Sequence, residues 1–422
     1  MRLSTDTAKN DYCVSEKNNK AQRIICLRLR LVPLYRSVFK DETKLDINYI
    51  PYRLLHRDKE LRLLTEFFNF ALQSPERMSQ RVIVTGDIGA GKTALSQRFG
   101  ADITHEAKKR NLNLRYVHVN CREYHGSLFL VLQHAVSTFH PNFPKRGYSA
   151  EELLRILMQI LDEEKTYLIL ALDEFDSLVE NEGSGAVYAL TRLQEARQDK
   201  SQRFSLICIL RNLEALDRLD ASARSTLQSN IVALQNYSKQ QLIDILKDRV
   251  LLAFKPSTTQ EDTISLIAEI AFSENGNARF GIELLWRAGK HADAEELESV
   301  SPECVRKAVS NIIPSMRKDE LVSLSFHEKL FLLGIARLFK ESQNAYVSLV
   351  EAERAYAIVC EEFEAKPNSH TQLWKYLQNL SSLEIIKTEV SKTGSRGRHT
   401  LIYLPRIPAF ELEKTLGSLL EK

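Results

Sequence analysis

Residues 81–93 read RVIVTGDIGAGKT. Val82, Ile83 and Val84 make a short buried strand, Gly86, Gly89 and Gly91 punctuate a turn, and Lys92-Thr93 open a helix. The pattern is G-x-x-x-x-G-K-[ST] set between a strand and a helix, as a phosphate-binding loop requires. Glycine tolerates positive φ and lets oxygen atoms approach the backbone, so successive N–H groups can converge on a polyphosphate. The candidate phosphate ligands are therefore Gly86, Asp87, Ile88, Gly89, Ala90, Gly91, Lys92, Thr93 and Ala94. Lys92 adds a charge for the β- and γ-phosphates, Thr93 offers a hydroxyl to Mg²⁺, and the helix N-terminus adds its dipole. An ordinary strand–turn–helix with chance glycines is the competing reading.

Working outward, 422 residues suit two to three domains at roughly 150 residues each. With 44% hydrophobic and 27% charged residues the composition is that of a soluble globular protein. No apolar run approaches the roughly 18 residues that span a bilayer. A net charge of +3 does not by itself argue for nucleic acid, so the clustering of basic residues must decide. The cysteines (13, 26, 121, 208, 304 and 360) have no C-x-x-C spacing and read as reduced, which speaks against a zinc site.

A flexible, polar N-terminal extension is expected over 1–40, its second half basic, and a nucleotide-binding domain over 41–236. Residues 48–73 read as an extended lead-in broken by Pro51 and then an amphipathic helix with Leu61, Leu64, Phe67, Phe68 and Leu72 on helical spacing, and further helices are expected at 92–110, 125–139 and 149–164, the last with a Ser149/Glu152 capping box. Strands are expected at 114–120, in the six apolar residues that open 167–178, at 204–210 and at 230–235, giving a parallel sheet covered on both faces. In YLILALDEFDSL (167–178) an apolar strand leads into Asp173-Glu174. Such a strand delivers carboxylates to the sheet edge that carries the loop: Asp173 to hold Mg²⁺, Glu174 to orient the attacking water. An acidic helix cap is the alternative. Asn212, after the fourth strand, could reach the γ-phosphate or that water. Residues 237–312 are helical throughout, and Arg279, after Gly276-Asn277-Ala278, can project from a helix end towards the nucleotide.

The last domain, 320–422, changes character. Three helices and a two-stranded hairpin (384–390 and 400–404) predict a winged helix, its third helix docking in a DNA groove. Ser369, His370, Thr371, Gln372 and Lys375 form that helix's polar face, with Leu373, Trp374, Leu377 and Leu380 packing inside. From 387 to 406 five basic residues (Lys387, Lys392, Arg396, Arg398 and Arg406) stand against Glu389 alone. Gly394 and Gly397 let the hairpin loop lie close to the sugar-phosphate backbone while Arg396 and Arg398 reach into it, with Lys392 as a further candidate DNA contact, and a solvated hairpin tip is the alternative.

IPYRLLHR (50–57), GDIGAGKT (86–93), VHVNCRE (117–123), PKRGYS (144–149), LDEFDSL (172–178), RSTL (224–227), NGNARFGIELL (275–285) and GSRGR (394–398) together resemble one family. It is the archaeal-type origin-recognition and cell-division-control initiators, AAA+ ATPases that bind replication origins. The resemblance implies an α/β AAA+ domain with a parallel sheet, a helical lid and a C-terminal winged helix. It implies Gly86 to Thr93 as Walker A, Asp173 and Glu174 as Walker B, Asn212 as sensor 1 and Arg279 as sensor 2. The adenine would lie between Tyr49–Arg57 and the lid entrance at Tyr237. An initiator-specific helical insertion would span 122–147, with Arg122, Lys145 and Arg146 as candidate DNA contacts. Family members usually carry an arginine finger three residues before the serine matched by Ser225, and this chain has Ser222 there.

The expected function is a slow ATP/ADP switch with Mg²⁺, binding double-stranded origin DNA and recruiting the replicative helicase alongside other initiator paralogues. It would be a cytoplasmic, nucleoid-associated monomer, or assemble on DNA, with no membrane partner. A DNA-binding regulator using nucleotide structurally and a signalling ATPase acting on protein partners are the alternatives.

Overall fold

Two apolar runs buried on both faces, residues 167–173 and 204–210, set the middle of the molecule. The computed structural model describes residues 37–192, 201–227, 230–312, 318–342, 344–383, 385–390, 400–405 and 407–421. Strands β1 (Arg81–Thr85), β2 (Leu114–Asn120), β3 (Tyr167–Asp173), β4 (Phe204–Leu210) and β5 (Ile231–Ala233) form a parallel sheet in the order β2-β3-β4-β1-β5. Every residue of β3 and β4 is buried, as continuous apolar strands of a doubly covered sheet must be. Alternation assigns the faces. Val82 and Val84 pack with Leu64 and Phe68 of α1 (Asp58–Gln73) and Leu95 and Phe99 of α2 (Lys92–Lys109). Ile83, Leu168 and Leu170 face α3 (Leu128–Phe139), α4 (Ala150–Glu163) and α5 (Phe175–Arg192) on the other side. A short helix α6 (Ala221–Leu227) precedes β5.

The Ser149/Glu152 capping box is present at α4. The α3 segment starts at Leu128 rather than 125, because His125 and Gly126 both take positive φ and close a turn before it.

Helices α7 (Lys239–Ala253), α8 (Glu261–Ser273), α9 (Ala278–Ala294) and α10 (Pro302–Ile312) build a separate helical core. Val38, Phe39 and Leu45 belong to it, so the segment leading into the nucleotide domain packs first on the lid. Asp293 ties that segment down, accepting from Ser37 Oγ at 2.6 Å and from Val38 N at 2.7 Å.

The C-terminal unit contains α11 (Lys318–Ser323), α12 (Phe326–Ser342), β6 (Tyr346–Ser348), α13 (Leu349–Glu362), α14 (His370–Ser382), β7 (Lys387–Val390), β8 (Thr400–Tyr403) and α15 (Ala409–Leu420). The expected two-stranded hairpin is in fact a three-stranded antiparallel sheet, β6-β8-β7. Tyr346–Ser348 reads locally as the start of a helix. It pairs with β8 instead, and Ser348 then caps α13 through a capping box with Glu351. The helix α15, which the sequence reading left out, buries Leu412 and Leu416 in the same core. Trp374 does not pack inside but is 40% exposed on α14, beside buried Leu373 and Leu377.

Lid and winged helix are joined by a buried cation. Arg306 of α10 has a fully buried side chain, pairs with Glu303 at 3.2 Å, and lies 4.5 Å from the Phe339 ring centroid of α12. Its N–H groups donate to Leu404 O at 3.0 Å and Asn344 O at 2.8 Å. Lys239, at the start of α7, spans the same junction, 2.7 Å from Glu269 of α8 and 3.0 Å from Glu389 of β7. Cutting a buried, fully hydrogen-bonded cation leaves an unpaired carboxylate and carbonyl groups behind, at a cost of about 3 kcal/mol. Arg306→Met is therefore expected to destabilise the lid and winged-helix units together, read by urea unfolding through the emission of Trp286 and Trp374. Arg337→Met, which removes solvent-accessible pairs with Glu362 and Glu413, is expected to cost about 1 kcal/mol, well below the loss in Arg306→Met.

Candidate nucleotide site and nucleic-acid interface

The loop after β1 turns at Gly89 (φ 80°) and Gly91 (φ 93°), both in the left-handed region. A Cβ on Gly89 would stand 1.9 Å from Asn277 Oδ1, and one on Gly91 would stand 2.9 Å from Tyr237 Oη. Glycine is thus required twice, for conformation and for the approach of the lid. Asn277 caps α9 by accepting from Phe280 N, and Ala278 N donates to Gly89 O at 3.3 Å. The lid helix that carries Arg279 therefore begins on the phosphate loop. Arg279 itself is exposed and has no ion-pair partner among the described residues.

Arg57 is the anchor that the sequence reading placed only within a segment near the adenine. It is 3% exposed and donates to Ala90 O at 3.1 Å (Nε) and 2.7 Å (Nη2), to Gln235 O at 2.7 Å and to Tyr237 Oη at 2.9 Å. The guanidinium also stacks on the Tyr237 ring, 4.0 Å from its centroid. The fork geometry of arginine lets one side chain bind loop, β5 exit and lid entrance together. Burial pushes the Tyr237 phenol up, with Arg57 opposing. Nothing in the eight-residue stretch IPYRLLHR marks Arg57 as buried; only the fold does.

Lys92 folds over the loop, donating to Gly86 O at 2.5 Å and Asp87 O at 2.9 Å. Burial lowers its pKa, partly offset by Asp173, Asp176 and Asp87. Ile88 is exposed at the loop crest, and Ala94 is half-buried in the first turn of α2. Thr93 Oγ1 donates to Asp173 Oδ2 at 2.6 Å, and the N–H of Glu174 donates to Asp173 Oδ1 at 2.9 Å. His118 Nε2 lies 3.3 Å from the same Oδ2. Burial raises the Asp173 pKa, but the hydrogen bonds of His118 and Thr93 outweigh it, so the carboxyl stays below its ordinary value. Glu174 takes φ 49°, a left-handed conformation that costs a non-glycine residue about 1 kcal/mol or more.

These groups fit a Mg²⁺–nucleotide: oxygen donors of a hydroxyl and a carboxylate at one sheet edge, and glycines whose added Cβ would fill the loop. Asn212 is exposed, and its amide donates to Glu214 Oε2 at 3.0 Å rather than to the loop. Arg122, expected to touch DNA, sits 3.8 Å from Glu174 at an exposed pair. Lys145 and Arg146 are exposed in the α3–α4 connection, which Gln133 Nε2 ties down through Lys145 O at 2.7 Å. At the matched finger position, Ser225 Oγ donates to Ser222 O, while Arg218 pairs with Glu180 and Arg224 with Asp217.

On α14, Ser369 caps the helix and is exposed, as are Thr371 and Lys375; Gln372 is half-buried, and His370 pairs with Glu353 of α13. Lys392, Arg396, Gly397 and Arg398 lie outside the described residues, as does Arg406. Among the described residues no helix is long and apolar enough to cross a membrane.

Comparison with known proteins places three family domains along the chain: an AAA domain over 77–219, a Cdc6 AAA+ ATPase-type lid domain over 243–310, and a CDC6 C-terminal winged helix domain over 319–408. The ORC1-type DNA replication protein 2 of Sulfolobus acidocaldarius is 32% identical over 393 residues, spanning 92% of this chain and 94% of that one. The crystal structure of Cdc6p from Pyrobaculum aerophilum is similar with a TM-score of 0.80 and 28% identity, covering 91% of this chain and 99% of that one. The Aeropyrum pernix ORC1 protein in complex with DNA is similar with a TM-score of 0.60 and 26% identity, covering 90% and 97%.

Losing the Arg57 donors frees the Ala90 carbonyl and loosens the loop, at a cost equivalent to about tenfold in binding. Arg57→Met is expected to weaken binding of a fluorescent ADP by that factor, while Arg62→Met on the exposed side of α1 leaves it unchanged. Equal affinity in both variants would refute the anchoring role.

Proposed function

The chain belongs to the family of ORC1-type DNA replication proteins, with AAA, Cdc6-type lid and winged-helix domains in that order, and from this premise we propose that it is a nucleotide-switched replication initiator. It binds duplex origin DNA and helps to recruit the replicative helicase. The observation that carries this reading is the continuity from loop to wing: Gly89 meets Asn277 at the head of α9, and Arg306 of the same lid is buried against the winged helix. A change at the loop is thereby transmitted to the DNA-binding unit as a shift between conformations of unequal affinity.

In this reading Lys92 and the N–H groups from Gly86 to Ala94 hold the phosphates, and Thr93 and Asp173 hold Mg²⁺. Bound Mg²⁺–ATP supplies the concentrated charge and the labile γ-phosphate. Glu174 orients the attacking water, Asn212 is redirected from Glu214 towards the γ-phosphate, and Arg279 answers charge from the lid side. Tyr237 and the Tyr49–Arg57 segment flank the adenine. The polar face of α14 (Ser369, Thr371, Gln372, Lys375) enters a DNA groove and Lys392, Arg396, Gly397 and Arg398 follow the backbone, with Lys145 and Arg146 as a further contact from the ATPase domain. The protein acts in the cytoplasm at the nucleoid, with other initiator paralogues as partners. Ser222 in place of an arginine, with Arg218 and Arg224 both paired, favours a switch that hydrolyses slowly.

Two variants separate the halves of this reading. Lys92→Ala is expected to abolish ATP and ADP binding in equilibrium dialysis. Arg396→Ala combined with Arg398→Ala is expected to leave nucleotide affinity unchanged, weaken origin-duplex binding, and reduce the salt slope by about two. Wild-type DNA affinity and salt slope in the double variant would overturn the docking geometry.

A further inference from the structure

Five side chains beneath the phosphate loop form a hydrogen-bonded chain, Ser96–Tyr116–His118–Asp173–Thr93, in which Ser96, Tyr116 and His118 have no role in the reading above. Thr93 and Ser96 stand three apart on α2, on one face of the helix. Tyr116 and His118 stand two apart on β2, on one face of the sheet. His118 is registered with Ala171 and Asn120 with Asp173, so His118 and Asp173 are diagonal neighbours on that face.

The links are short. Tyr116 Oη is 2.7 Å from Ser96 Oγ and 3.3 Å from His118 Nδ1. His118 Nε2 is 3.3 Å from Asp173 Oδ2, which also accepts from Thr93 Oγ1 at 2.6 Å. A carboxylate only accepts, so Nε2 carries a proton towards Asp173, and in the Nε2–H tautomer Nδ1 accepts from the Tyr116 hydroxyl. That hydroxyl in turn accepts from Ser96. Space has been cleared for this arrangement: a Cβ on Gly100 of α2 would stand 2.2 Å from the Tyr116 ring. Ser96 is fully buried and Asp173 nearly so, which limits competition from water at those two groups.

The geometry points to His118 as a positioning residue for the metal-binding carboxylate. It fixes Asp173 in one rotamer, with Oδ2 shared between Thr93 and His118 and Oδ1 on the Glu174 N–H, so that the Thr93 lone pairs stay free for Mg²⁺ while its proton is committed to Asp173. Tyr116 and Ser96 hold the imidazole in the required tautomer. Groups that orient a metal ligand from behind typically govern metal affinity by 10- to 100-fold. This inference rests on the Mg²⁺–nucleotide reading of the loop.

The test titrates Mg²⁺ from EDTA-buffered solution against the full-length chain with a fluorescent ADP analogue, and measures the analogue's affinity without Mg²⁺ separately. His118→Phe keeps an aromatic ring and removes both nitrogens; His118→Gln keeps one donor; Tyr116→Phe removes only the distant hydroxyl. The expected result is a rise of about tenfold in half-saturating Mg²⁺ for His118→Phe, with Mg²⁺-free affinity unchanged. His118→Gln should recover to within about threefold of wild type, and Tyr116→Phe should shift in the same direction by about threefold. An unchanged Mg²⁺ requirement in His118→Phe overturns the proposal, as does an equal loss of Mg²⁺-free affinity. Should His118→Phe fail to fold, Tyr116→Phe decides, and a wild-type Mg²⁺ requirement there overturns it. Absence of nucleotide binding by the wild-type chain would instead defeat the nucleotide reading itself.

Discussion

The hydrogen bond from Thr93 to Asp173 is the interaction around which the nucleotide site is arranged. It links the first turn of α2 to the end of β3, although β4 lies between β1 and β3 in the sheet. Only parallel strands deliver both ends to one edge, and only a fully buried β3 holds a carboxylate there at fixed height. Everything at that edge is then specified by neighbours: His118 from β2, the N–H of Glu174 after β3, Asp176 accepting from Arg211 N after β4. Burial raises the Asp176 pKa while it depresses that of Lys92, so the two environments work against charge at both groups.

A second set of contacts makes the loop and the winged helix parts of one mechanical chain. Arg57 and Tyr237 join the loop to the lid entrance, Asn277 brings α9 onto Gly89, and Arg306 and Lys239 carry the connection into β7, β8 and α12. Three of these joints are cations, Arg57, Arg306 and Lys239, shared among carbonyls, carboxylates and aromatic faces, and Asn277 adds a neutral amide. Cations with several discrete acceptors permit more than one stable arrangement, whereas a close-packed seam tends to permit one.

Legibility in the sequence followed the range of the determining interaction. The phosphate loop, the apolar run into Asp173-Glu174 and the capping box at Ser149 were readable because each is complete within a dozen residues. The third wing strand was missed because Tyr346–Ser348 is extended only by virtue of β8, more than fifty residues later. Trp374 was placed inside on helical spacing, yet Leu373 and Leu377 fill the inward stripe and leave it 40% exposed. The neighbours of two candidate site residues are likewise set by the fold, the Asn212 amide lying on Glu214 and Arg122 lying 3.8 Å from Glu174, and sequence spacing does not reveal either meeting.

By itself the sequence determined the order of the three units, the parallel sheet, the phosphate loop and the carboxylate strand, because periodicity and local backbone demands encode them. Tertiary structure alone decided which distant side chains complete the site. Arg57 became a buried clamp, His118 and Tyr116 a support for Asp173, and Arg306 the pin between lid and wing. The physical reason is that a buried polar group must find its partners wherever the fold brings donors and acceptors together, and sequence spacing carries no record of that meeting.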